Sequence, residues 1–186
     1  MKNTLIECFE ESKEKESIIS IFDEKDNIGN FHVGYVKEIF ENSILIQSYN
    51  KYGMTDGLIL IRLVDIFKVE KETEYLMKRM MPAIKYHYSS DEKQLDFVTT
   101  SQFNDGIQSL IDCCKNNNIL ISIKLIYSDY VTGYIIEYDD ENLLIKTYSE
   151  YGVYVGNTFI KYEDILSIAC DRQEERIISL LINRNK

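Results

Sequence analysis

The chain states one pattern twice. Residues 34–70 slide without a gap onto residues 133–169, keeping Gly34 with Gly133, Glu38 with Glu137, Tyr49 with Tyr148, Tyr52 with Tyr151, Gly53 with Gly152, Gly57 with Gly156 and Asp65 with Asp164 in register. The match extends upstream, where SIISIF at 17–22 aligns with ILISIK at 119–124 after three residues of loop difference. Self-similarity of this length predicts two copies of one small structural unit.

Each copy opens with a short amphipathic segment. Leu5, Ile6 and Phe9 in the first, and Ile107, Leu110 and Ile111 in the second, recur at the spacing of one helix face. Asn3 or Thr4, and Asn104 or Asp105, stand where a short side chain accepts from the first-turn N–H groups. Runs rich in Ile, Val, Tyr and Phe follow, bounded by Gly, Asn and Asp. They predict strands at about 17–23, 31–40, 43–50, 57–63 and 65–70, and again at 118–126, 130–138, 142–149, 154–161 and 164–169. The expected fold class is mainly β with flanking helices: two tandem small barrels or strongly bent sheets, each preceded by a helix.

The repeat divides the chain into a first unit over 1–82, a linker over 83–103 and a second unit over 104–186. Units of this size sit near the lower limit for an independent core, so docking or oligomerisation is expected to support both. A helical run from Lys71 to Met81 closes the first unit, and the only proline, Pro82, is expected to stop it. The linker is expected to bury Tyr86, Tyr88 and Phe97. Glu174 to Ile182, with Ile177, Ile178, Leu181 and Ile182, reads as the second closing helix.

Composition narrows the setting. No apolar stretch approaches the ~18 residues of a membrane span, and the acidic start is unlike a signal peptide, so a cytoplasmic protein without membrane contact is expected. Cys8, Cys113, Cys114 and Cys170 form no CxxC pair and read as small buried side chains. Abundant Ile, Lys, Asn, Tyr and Glu suits an AT-rich bacterial coding sequence. The net charge of −10 is shared evenly, with 13 basic against 18 acidic residues in 1–100 and 8 against 13 in 101–186. Such a field repels phosphate backbones at long range and disfavours general nucleic-acid binding.

Catalytic constellations are missing. His32 and His87 are not repeated and have no metal-ligand spacing, while Asp23-Glu24-Asp26 and Asp139-Asp140-Glu141 sit at expected strand ends as solvated turn residues. No Gly-rich loop precedes a helix as a phosphate cradle. The sequence predicts neither enzyme activity nor a cofactor.

A family resemblance does emerge from the repeat. Each copy has a helix before five strands, a glycine in strand two (Gly34, Gly133), an acidic residue seven positions on (Glu41, Asp140), an apolar triplet (Ile44-Leu45-Ile46, Leu143-Leu144-Ile145) and an Ile-Arg/Lys-x-x-x-Ile ending (Ile61 to Ile66, Ile160 to Ile165). This pattern resembles the Sm-like family. The resemblance implies a small five-stranded barrel whose strands four and five pair between neighbours in rings, and, in many members, single-stranded RNA bound at pore-facing loops. The family's Arg-Gly in strand four is replaced here by Arg62-Leu63 and Lys161-Tyr162.

The shared Tyr-x-x-Tyr-Gly-x-x-x-Gly segment carries two readings. Its glycines supply positive φ for a turn and its tyrosines cover the barrel end, or its tyrosines form a contact surface for a protein or for stacked bases. On the second reading the binding residues are Tyr52, Gly53, Arg62, Tyr151, Gly152 and Lys161, the two cations supplying charge beside the rings. Tyr49 and Tyr148 are expected to pack and Tyr52 and Tyr151 to be more exposed. Two functions follow: a non-enzymatic interaction or scaffold protein that meets a protein partner or itself through strand edges, and a tandem Sm-like single-stranded RNA-binding protein.

Overall fold

Runs of β-branched and aromatic residues form strands, and both copies of the repeat lay them down in the same order. In a computed structural model, which describes residues 4–25, 29–87, 105–126 and 128–185, the chain divides into two compact units, Met1–Leu95 and Asp96–Lys186. The fold is mainly β, antiparallel, with flanking helices. The cap candidates Asn3 and Asn104, together with Asp26, Tyr88, Phe97 and most of the expected linker, lie outside the described residues.

The first unit runs α1 (Thr4–Lys15), β1 (Ile19–Phe22), β2 (His32–Ile39), β3 (Ser43–Tyr49), β4 (Thr55–Arg62), β5 (Lys68–Lys71), a π turn (Leu76–Met80) and α2 (Met81–His87). Its strands lie in the order β5-β1-β2-β3-β4. The second unit repeats this with α3 (Gly106–Asn116), β6 (Ile121–Leu125), β7 (Ser128–Tyr138), β8 (Asn142–Tyr148), β9 (Tyr154–Lys161), β10 (Ile165–Cys170) and α4 (Gln173–Arg184). Its order is β10-β6-β7-β8-β9.

The likeness reaches single residues. The β2–β3 ladder shifts register between Val36 and Glu38, and the β7–β8 ladder between Ile135 and Glu137. Such bulges bend a sheet and raise its twist. Two residues earlier, a Cβ on Gly34 would stand 2.1 Å from the Gln47 carbonyl oxygen, and one on Gly133 2.3 Å from that of Lys146. Only glycine lets the neighbouring backbone approach so closely. In the first unit the Val36 N–H donates to the Ser12 hydroxyl at 3.1 Å, and that hydroxyl donates to the Ser17 carbonyl at 2.7 Å. The opening helix is thereby fastened at the bulge. Asp105 caps α3 by accepting from the Ile107 N–H at 2.9 Å, as its short side chain predicts.

Phe9, Ile21, Ile44 and Ile46 are fully buried in the first unit, and Leu110, Ile111, Ile123 and Ile145 in the second. The closing helices add a smaller cluster each. Leu76 and Met80 meet Val33, Tyr35 and Tyr49, while Ile178 and Ile182 meet Leu120, Tyr134 and Tyr148. Cys114 and Cys170 are buried, Cys8 and Cys113 half-buried. A hydrogen bond with the neighbouring Cys170, and then burial, hold the Cys114 thiol well above its ordinary value.

Pro82 does not stop the first closing helix. Thr73 caps the helix, its hydroxyl accepting from the Leu76 N–H at 3.3 Å, and the helix continues to His87. Five residues, ending two before Pro82, form the π turn, in which the Met81 N–H reaches back to the Leu76 carbonyl. Proline in an α-helix lacks one bond and clashes with the carbonyl four residues back. A π turn widens the helix and shifts the ladder by one residue, which relieves both costs. The helix therefore enters what the sequence marks as linker, and Tyr86 on it is 79 % exposed rather than buried.

The π turn is one inserted residue. Gly53 faces Ala83 and Ile84, and Gly152 faces Leu181 and Ile182. Ala83 is the tenth residue after Thr73, whereas Leu181 is the ninth after Arg172, the equivalent helix start. The two closing helices thus reach the same docking point by unequal paths.

Candidate interaction surface

The turn between strands three and four exposes one tyrosine in each unit. Asn50 accepts at its side-chain oxygen from the Tyr52 N–H at 2.9 Å and the Met54 N–H at 3.2 Å, while its carbonyl takes the Gly53 N–H at 2.9 Å. Ser149 plays the same part: its carbonyl accepts from the Gly152 N–H at 2.9 Å and its hydroxyl from the Val153 N–H at 3.3 Å. Asn and Ser favour such turns because their short side chains bond their own backbone. Tyr52 is 58 % and Tyr151 69 % exposed, Tyr49 is buried and Tyr148 half-buried. A hydrogen bond to Glu150 raises the pKa of the Tyr151 phenol.

The glycines beside them face inward. Gly53 has φ +82° and Gly152 +71°, and a Cβ on either would stand 2.6 Å from closing-helix atoms. They are where the helix docks. Arg62 and Lys161 are not brought to the tyrosines. Arg62 pairs with Ser43 and Thr55 with Tyr49, so Arg62 lies at the opposite end of β4, seven residues or about 23 Å along a strand. Lys161 stands likewise opposite Asn142, away from Tyr154 and Tyr148. Arg62 pairs with Asp65 at 2.6 Å and Lys161 with Glu163 at 3.2 Å.

The nearby cations are others. Lys51 Nζ sits 5.1 Å from the Tyr52 ring centre, and Lys146 Nζ sits 5.9 Å from that of Tyr148 and 5.4 Å from that of Tyr154. These are cation–π distances. The second unit adds a feature that sequence reasoning missed. Val153, Tyr154, Val155 and Phe159, on and just before β9, are all more than half exposed, Phe159 at 78 %. The matching residue in β4, Leu60, is 2 % exposed. β9 ends the strand order, with β8 as its one sheet neighbour among the described strands. The visible signal was Phe159 itself, a large ring on the outward phase of a predicted strand.

The acidic turn and the first histidine have local partners. Asp139 uses its carboxylate to accept from the Glu141 and Asn142 N–H groups at 2.8 and 2.7 Å, which closes the β7–β8 turn and lowers its pKa. His32 lies 3.4 Å from Asp23. Among the described residues, no three His, Cys, Asp or Glu side chains are grouped to hold a metal ion. No described helix is long and apolar enough to cross a membrane.

No protein family, curated protein or solved structure matches the chain. The surface must therefore be read from its own chemistry. If Tyr52 and Tyr151 are contact residues rather than packing, Tyr52→Ala and Tyr151→Ala should each change the unfolding free energy by less than about 0.5 kcal/mol, the usual range for exposed substitutions. Chemical denaturation checks this, and a loss of several kcal/mol would assign both rings to packing.

Proposed function

We propose that this chain is a non-enzymatic interaction protein built from two Sm-like barrels, which associates with further copies of itself by strand addition at β9. The strand order in each unit, the bulged second strand with its glycine, and the opening helix all support the Sm-like reading. The observation that carries the assembly is the apolar edge: Val155 and Phe159 sit exposed on a strand at the end of the order. An edge strand of this kind is a template for pairing unless it is covered. β5, an end strand of the first unit's order and short with Lys68 and Lys71, is the complementary strand, because strands four and five are the pair that the resemblance implies. Such head-to-tail contacts close into rings or extend as filaments.

Light scattering over a concentration series should show association that Val155→Lys with Phe159→Lys abolishes while the fold persists. A wild-type monomer at all concentrations would reject the reading. Lys51 beside the exposed Tyr52 favours the second reading, single-stranded RNA stacked on the tyrosine loops. Polarisation with U-rich and A-rich RNA at two salt concentrations separates the two. Salt-dependent binding lost in Tyr52→Ala would establish RNA recognition, and no binding at low salt would remove it.

A further inference from the structure

The first unit holds a cavity of about 600 Å³ beneath its π-turned helix. That volume lies within the range of small-molecule sites. Tyr35 and Tyr49 form part of its lining, and Ile18, Met77, Met81 and Ile84 supply apolar walls. The two methionines come from the π turn and the turn after it. Unbranched thioether side chains adapt to irregular ligands.

Its mouth is charged. Lys15, Lys37, Lys71 and Lys85 line it against Glu11, Glu16 and Glu72, four ammonium groups to three carboxylates in a chain of net −10. Glu11 binds Lys15 at 2.8 Å and Lys71 at 3.0 Å, and these two ammonium groups hold its carboxyl down at about 2, so that trio keeps one excess positive charge. Lys37 Nζ lies 5.5 Å from the Tyr35 ring centre. Neither Lys37 nor Lys85 has a carboxylate at ion-pair distance among the described residues.

The second unit serves as an internal control. The same place is divided in two, with about 300 Å³ at Tyr134 and Tyr148 and a separate space of about 380 Å³ beside Leu120, Glu175 and Ser179. There the Tyr134 hydroxyl and the Ser179 hydroxyl share a hydrogen bond at 2.9 Å, tying sheet to helix. The position of Ser179 is taken by Met81 in the first unit, and Lys37, Lys71 and Lys85 correspond to Ile136, Cys170 and Asn183. A feature demanded by the fold would recur, as the glycines do. The undivided cavity, its methionines and its lysines do not.

We propose that this cavity binds a free amphiphilic anion, an aliphatic or aromatic body of drug size ending in a single carboxylate, phosphate or sulfonate that meets Lys37 and Lys85. Burying the body against Tyr35, Tyr49 and Met81 supplies the hydrophobic gain, and the excess positive charge at the mouth selects the sign of the head. The site is independent of β9, so Val155→Lys with Phe159→Lys leaves it unchanged.

The test uses the full chain and 1-anilinonaphthalene-8-sulfonate as a fluorescent probe. Saturable enhancement is expected, displaced by decanoate and by decyl phosphate but not by decyltrimethylammonium. Lys37→Glu with Lys85→Glu should weaken the probe at least tenfold, and Met81→Trp, which fills the cavity, should do so by volume. Asn183→Glu in the second unit should have no effect. Circular dichroism separates loss of binding from loss of fold, and the paired lysine variant keeps the test decisive if Met81→Trp fails to fold. Absence of saturable binding overturns the proposal, as does equal displacement by the cation. Co-sedimentation with phosphatidylglycerol vesicles without displacement by decanoate overturns it in favour of membrane contact.

Discussion

Gly53→Ala or Gly152→Ala should cost roughly 3 kcal/mol, from a left-handed backbone penalty of about 1 kcal/mol and overpacking of about 2. Both glycines hold φ between +70° and +85°, and a Cβ on either would meet closing-helix atoms at 2.6 Å. Helix backbone is part of what it meets, so no side-chain rotation clears the space. Relief requires the helix to lift, which uncovers Met80 and Tyr49 in the first unit or Ile178 and Ile182 in the second. Urea denaturation measures the loss, with Tyr52→Ala as the neighbouring control. A change below about 1 kcal/mol would show that the helix is only loosely docked.

Arg172→Ala should cost about 3 kcal/mol, because it strands a buried carboxylate. Glu175 is buried on the first turn of α4. It accepts from the Arg172 guanidinium at 2.6 Å and from the Arg172 N–H at 3.0 Å. Removing the arginine side chain leaves the carboxylate with the backbone donor alone. Removing both charges is a different matter: Arg172→Ala with Glu175→Leu should recover most of the loss, since the desolvated charge is gone. A double variant no more stable than the single one would show that Glu175 reaches water once the arginine is removed.

Much of the fold was legible because the repeat supplied two independent readings of every strand. Predicted and observed strands agree to within a few residues, since turn residues such as Asn50, Ser149 and Asp139 bound them on both sides. Pro82 misled because its cost depends on helix geometry, and a π turn is invisible to a rule written for α-helices. Arg62 and Lys161 misled for a different reason. Proximity in a sheet depends on which end of a strand a residue occupies, and both cations stand at the end away from the tyrosine turn. The split between Tyr49 and Tyr52 was readable from the adjacent glycine alone. The cavity was not, because its walls come from residues far apart in the sequence, on α1, β2, β3 and the closing helix.

The residue inserted at the π turn says something about duplicated units. One extra residue in a helix turns every later side chain by about 100° around the axis. Here the surplus is absorbed within a single turn, so Ala83 and Ile84 still land on Gly53 as Leu181 and Ile182 land on Gly152. The anchor is conserved between the copies while the wall leading to it is rewritten. A stutter five residues long is thus enough to let two copies of one fold keep the same skeleton and offer different interiors.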